Sequence, residues 1–331
     1  MADRYGRRRP LLAGVSIYVV ATAGCLFAPD LHTFTVLRFF QAIGGSAGMI
    51  IGRAIVRDLY APREAARTLS LLIMIMTLVP MLAPVLGGFV VSHASWQVIF
   101  LIMLGFGLIC GTLFLLFVPK TLAPEDRHKS NLFAILRIWV DLLRNPAFGV
   151  PVVAGGLAQA SMFAFITGSP FVFITLFHVS AQTYGWIFGC VALALILAGQ
   201  SNRMALHRKS PQTVLGSALI VNVIAGLAAV LMVSFHSLPG ILIALWFAIG
   251  TLGFIGANSA AIAMAASGAH GGSGSSLIGV FQFGLAFIAS SLIAACQNES
   301  AYPLVLAIAG CGLASASLWF ASARLFRNAQ P

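Results

Sequence analysis

Ten apolar stretches, each long enough to cross a bilayer, take up most of this 331-residue chain. They run near 10–29, 33–56, 67–92, 97–118, 147–175, 184–201, 212–235, 238–263, 275–296 and 302–323. A helix needs about 20 apolar residues to cover about 30 Å of hydrocarbon. The stretches are continuous rather than alternating, so helices are expected and a closed barrel is not. The chain is therefore read as an all-α polytopic membrane protein. Only 8% of its residues are charged, against about 25% in soluble domains, too few to cover a soluble surface. The first apolar run follows a charged start, runs long and lacks an A-x-A site, so no cleavable signal peptide is expected.

The net charge is +11. In a soluble protein such an excess points to nucleic acid; here its distribution points elsewhere. With ten spans, both termini lie on one side. That side holds Arg4, Arg7, Arg8 and Arg9, then Arg53, Arg57, Arg63 and Arg67, then Lys120, Arg127, Lys129, Arg137 and Arg144. It also holds Arg203, Arg208, Lys209, Arg324 and Arg327, making 18 of the 19 basic residues. The opposite loops carry none. The basic side is expected to be cytoplasmic, facing an anionic inner leaflet, and no nucleic-acid partner is expected. The five cysteines, Cys25, Cys110, Cys190, Cys296 and Cys311, lie in or beside apolar stretches without CxxC or Cys/His spacing. They read as packing residues, with no disulfide and no metal.

One connection is longer than the others. It begins PKTLAPEDRHKS and continues NLFAILRIWVDLLRNP. Leu132, Ile135, Leu136, Trp139, Val140 and Leu143 recur at helical spacing, with Arg137, Asp141 and Arg144 elsewhere. An amphipathic helix on the membrane face is expected. Three parts follow: four spans in 1–118, the linker 119–146, and six spans in 147–331. Two short basic loops, DRYGRRRP and NRMALHRKSP, each run into a span at a proline, Pro10 and Pro211. If they are equivalent in two matched halves, two spans are expected ahead of Met1.

Several segments resemble the major facilitator superfamily. DRYGRR resembles the end of its G-x-L-x-D-R-x-G-R-R loop signature, with Met1 in the place of the leucine. LRFFQAIGGSAG (37–48) resembles R-x-x-Q-G-x-G-A, with Ala42 for a glycine. VPMLAPVLGG (79–88) resembles the antiporter signature G-x-x-x-G-P-x-x-G-G, keeping Pro84, Gly87 and Gly88. RAIVRDLY, SWQVIF, VPKTL and FAFITGSPFVFI resemble the drug-resistance subfamily named for bicyclomycin resistance, Bcr/CflA. The similarity covers essentially the whole chain. It implies a major-facilitator-type helix bundle of twelve spans, of which ten are present. It also implies a monomeric, proton-coupled exporter of drug-like small molecules in the bacterial inner membrane, with no cofactor.

The resemblance assigns roles to residues that also have simpler readings. It implies proton coupling for Arg38 and Gln41; the alternative is that Arg38 snorkels to the interface. A charge this far into a span costs about 2.5–3.5 kcal/mol on insertion scales, so an interior position is favoured. Asp3, Arg4, Gly6 and Arg7, with Arg53 and Arg57, are assigned to a cytoplasmic gate; otherwise they are topogenic charge. Asp3 is expected near the helix starting at about Ser275. Pro80, Pro84, Gly87 and Gly88 form a hinge in which prolines bend the helix and glycines permit close approach. Gly44, Gly48 and Gly52 read as a packing stripe. Candidate cavity residues are Met49, Met74, Met76, Gln159, Phe163, Phe165, Ser169, Pro170, Asn258 and Gln282. The three amides are favoured because buried amides need partners. HGGSGSS (270–276) reads as a linker rather than a protease element, since no base accompanies its serines. No enzyme is expected.

All eight acids, Asp3, Asp30, Asp58, Glu64, Glu125, Asp126, Asp141 and Glu299, fall in loops or at span ends. Proton coupling commonly uses a buried carboxylate, and Arg38 stays charged. The titrating group is therefore expected in the two helices ahead of Met1, and the 331-residue chain alone is expected not to show gradient-driven efflux. A non-transporting remnant or partner subunit, and an uptake transporter of the same fold, stay open as alternatives.

Overall fold

The computed structural model of the chain describes residues 8–60, 62–117, 132–296 and 300–327. All ten stretches are helical. Ahead of the linker come α1 (Arg8–Leu26), α2 (Leu31–Leu59), α3 (Pro62–His93) and α4 (Gln97–Phe117). After it come α5 (Leu132–Arg144), α6 (Pro146–Pro170, running into a π turn at Phe171–Leu176), α7 (Ala181–Leu206) and α8 (Pro211–Ser234). The last four are α9 (Leu238–Gly250), α10 (Leu252–Ala266), α11 (Gly271–Ala295) and α12 (Tyr302–Arg327). No strand occurs among the described residues.

Eight helical segments are long and apolar enough to cross a membrane, with α9 and α10 counted together. The expected spans at α2 and α3 are long helices of 29 and 32 residues that fall outside those eight. α2 carries Arg38, Gln41, Arg53, Arg57 and Asp58 along its length. In α3 only Leu82–His93 stands out as a shorter apolar helix.

Start signals lie where helix chemistry places them. Ser180, Ser210 and Ser237 each accept the backbone N–H three residues on, and prolines open α6 and α8. Each satisfies or avoids a donor that the first turn leaves unpaired. Asp30 caps α2 through the Thr33 N–H at 2.7 Å. That backbone bond, then the one from the Thr33 hydroxyl, holds the Asp30 carboxyl below its ordinary range.

The chain divides into two compact units. The first holds Met1–Pro80 and Phe89–Asn131. In it α1 packs along α2 and α4. A Cβ at Gly44 would sit 2.5 Å from the Gly14 carbonyl and from the Tyr18 nitrogen, so glycine is needed for this approach. Gly48 and Gly52 face open space, so the expected stripe packs at Gly44 alone.

The second unit holds Leu132–Pro331 and takes in Met81–Gly88. Here α6 is central, with α10, α11 and α12 against it, and α8 packs on α9, α10 and α12. Phe165, Phe173, Leu215, Leu219, Ile241 and Ile255 lie in its core.

Two expectations are corrected. The stretch 238–263 is two helices, separated at Thr251. HGGSGSS is no linker: a short 3-10 turn, Gly268–His270, leads into α11, which begins at Gly271. Gly274 serves packing, since a Cβ there would meet Ser267 at 2.9 Å and Phe148 at 3.2 Å, while Gly272 faces open space. The amphipathic α5 docks through Ile138, Trp139 and Leu142 onto Phe148, Val152 and Leu277. Leu136, Val140 and Leu143 of the expected apolar face are exposed, as are Arg137, Asp141 and Arg144.

Candidate functional site

In the first unit a polar chain crosses from α2 to α1 through otherwise apolar packing. The Arg38 guanidinium donates to Gln41 Oε1 at 2.5 Å. Gln41 Nε2 donates to Thr22 Oγ1 at 2.7 Å, and the Thr22 hydroxyl donates to the Tyr18 carbonyl at 2.6 Å. Thr22 is fully buried and Gln41 is 3% exposed. Three residues of spacing place Arg38 and Gln41 on one helix face. Arg38 itself is exposed, with its guanidinium carbon 5.5 Å from the Phe100 ring centroid, within cation–π range. Arg38 starts about 10 Å into α2. The chain has a fixed polarity: arginine only donates, so the Gln41 amide oxygen must face it.

Arg38, expected in the bundle interior, has an exposed side chain, while Gln41 beside it is buried; Thr22 and Phe100 carried no sequence signal. A threonine inside an apolar run is unremarkable by pattern, and its partner lies nineteen residues away. Arg8 was read as topogenic charge, yet it also donates to the Leu115 carbonyl at 3.1 Å. This meets an end carbonyl of α4, where a cation suits the helix dipole.

The antiporter-like segment builds a close helix contact within the second unit. α3 passes through Pro80 and Pro84 as one helix. A Cβ at Gly88 would lie 2.6 Å from the Ala181 carbonyl. From the other side, a Cβ at Gly185 would lie 2.8 Å from the Pro84 carbonyl. Gly88 and Gly185 thus let α3 and the start of α7 meet backbone to backbone. Gly87 takes no part, and Gly185 had no sequence signal of its own.

The cavity candidates separate. Asn258 is 1% exposed and donates to Asn202 Oδ1 at 2.6 Å and to the Phe254 carbonyl at 2.8 Å. Its own Oδ1 is buried without a partner. Gln159, Phe163 and Gln282 are half-buried, and Phe163 lies where α6 meets α11. Phe163 meets Phe283 edge-on at 6.0 Å, and Thr167 bonds Ser290 at 3.1 Å. Phe165 and Ser169 are core residues rather than cavity walls. Phe165 stacks on Phe188 at 5.4 Å, and Ser169 bonds the Tyr184 hydroxyl at 2.9 Å. Pro170 closes α6 where the π turn begins. Asp3, Arg4, Gly6 and Arg7 lie outside the described residues, as do the side chains of Met49, Arg53, Arg57, Met74, Met76 and Pro80.

A polar chain ending on an arginine and glycine-tight helix seams among apolar helices suit a carrier better than a catalyst. The sequence model of the Major Facilitator Superfamily matches residues 1–294. The chain belongs to the major facilitator superfamily. It is similar to an uncharacterized MFS-type transporter, YdgK, of Bacillus subtilis, at 30% identity over 88% of this chain and 74% of the relative. A bicyclomycin resistance protein homolog of Haemophilus influenzae is 26% identical over 96% of this chain and 80% of that protein. Among solved structures, a bacterial homolog of the human lysosomal transporter Spinster, inward-facing and unoccupied, superposes with a TM-score of 0.73. That match covers 99% of this chain and 85% of the other at 16% identity, and shows the shared fold. This major facilitator is a secondary transporter rather than an enzyme, and a multi-pass bacterial membrane protein.

Proposed function

We propose that this major facilitator exports drug-like small molecules across the bacterial inner membrane in exchange for protons, as a monomer with both termini cytoplasmic. The observation that carries the coupling is the Arg38–Gln41–Thr22 chain. A guanidinium keeps its charge at any physiological pH. Held on Gln41 about 10 Å into α2, it is a fixed positive charge that lowers the pKa of any carboxylate brought beside it. It tunes the proton-carrying group and does not carry the proton. Drug-like substrates are supported by the bicyclomycin resistance relative, and Gln159, Phe163 and Gln282, all half-buried, are proposed to line the path. The orphaned Asn258 Oδ1 offers a further acceptor. The Gly88–Gly185 contact is proposed as a hinge or seal in alternating access.

The test uses inverted vesicles with an imposed pH gradient, carrying this chain together with any residues encoded in frame ahead of Met1. Uncoupler-sensitive drug accumulation is expected, and Arg38→Ala should abolish it while insertion is unchanged. Efflux that Arg38→Ala leaves intact would remove Arg38 from coupling.

A further inference from the structure

A groove of about 390 Å³ lies between α7, α8 and the α9–α10 pair, inside the second unit and apart from the seams described above. It exists because its floor is made of small residues: Ala194, Ala198, Ala218 and Gly250 line it and are buried. From Ala194 to Ala205 along α7 is about 16 Å of helix, roughly half the hydrocarbon thickness of a bilayer. The groove is thus one leaflet deep.

Its two ends differ. At the deep end the Trp246 indole closes across to α7, donating its N–H to the Cys190 carbonyl at 3.2 Å. The other end opens at Lys209. Lys209 is exposed, and so are Arg203, His207 and Arg208 around the same turn. Between the ends the wall is mostly apolar, and apart from the Ser201 hydroxyl its polar groups are already partnered. The Ser217 hydroxyl donates to the Thr213 carbonyl at 3.0 Å. Thr251 donates to the Ala248 carbonyl and accepts from Asn222.

An occupant of this shape is apolar along about one leaflet and anionic at one end. We infer that the groove holds an acyl chain of an anionic phospholipid, with the headgroup phosphate on Lys209. Charge complementarity selects this occupant: a basic cluster sits at the mouth, and the interior is apolar. The inference does not depend on what the protein exports.

The experiment places the purified chain in nanodiscs with phosphatidylglycerol carrying a photoreactive acyl chain. Native mass spectrometry then compares retained phosphatidylglycerol with phosphatidylcholine. Labelling concentrated within residues 190–254 and a several-fold preference for phosphatidylglycerol are expected. Lys209→Glu should remove the headgroup preference. Ala218→Leu fills the floor, and Ser217→Leu fills the groove from its exposed wall without disturbing the core; each should lower the labelling several-fold. Labelling spread evenly over the helices, equal retention of both lipids, or labelling unchanged by Ser217→Leu would overturn the assignment. So would displacement of the label by tetraphenylphosphonium, which would give the groove to a drug-like cation. Cross-links between two chains at the groove would give it to a second copy, with the same consequence.

Discussion

Gly312 has no side chain because Asn222 occupies the space one would need: a Cβ there would run into Asn222 Oδ1. Asn222 has no room to give way. Its Nδ2 donates to the Ala248 carbonyl at 2.8 Å and to Thr251 Oγ1 at 3.0 Å, and the residue is 3% exposed. Gly312→Ala should therefore destabilise the protein by about 1–3 kcal/mol, the usual range for overpacking. Gly310→Ala, two residues away and facing open space, should be close to neutral. Thermal unfolding of both variants in detergent makes the comparison; equal midpoints would show that Asn222 is not held as described. Asn222 illustrates where sequence reading ends at this scale. An asparagine in an apolar stretch advertises a partner, but not which of four neighbouring helices supplies it. Arg38 and Gln41 were legible because their spacing alone put them together on one face. Phe165 and Ser169 were misplaced because cavity walls and cores draw on the same residue types.

Among the elements, α8 ends in an unusual way. Its last turn closes with a pair of bonds, His236 N–H to the Val233 carbonyl and Ser237 N–H to the Met232 carbonyl. This is the Schellman pattern, in which a left-handed residue follows the helix. That residue is His236, at φ 49°, where glycine is the default because a Cβ in this region costs about 1–2 kcal/mol. His236→Gly should keep the turn and raise stability by about 0.5–1 kcal/mol, the cost of glycine's freedom in the unfolded chain offsetting part of the relief. The unfolding midpoint in detergent checks it, and a lower midpoint would mean the imidazole makes a contact that outweighs the strain. Helix starts were legible in this chain because Ser-Pro and Asn-Pro pairs announce them. The interior events were not. The break at Thr251 comes from side-chain donors occupying a backbone carbonyl, which local propensity does not encode. HGGSGSS failed in the other direction, since glycine and serine favour linkers locally and tight packing on Phe148 overrides them.

At the scale of the molecule, the loops carry the most readable message. Eighteen of the nineteen basic residues fall on one face of the expected topology, and such asymmetry sets orientation during insertion. An alkaline phosphatase fusion after Pro331 should be inactive, and one at His236 active; the reverse pattern would invert the whole arrangement. The helical class and the family were legible from hydropathy and motifs, which are properties of contiguous sequence. The polar chain through Thr22 and the α3–α7 glycine seam were not, because both join residues far apart in the chain. The broken span at Thr251 has a further consequence for a protein that must cycle between shapes. Bending an intact helix means breaking backbone bonds that have no substitute in lipid. Here the Ala248 carbonyl is already held by two side-chain donors, and side chains can let go and reattach by rotating. Wear from repeated turnover would fall on an amide and a hydroxyl, leaving the backbone ladder on either side untouched.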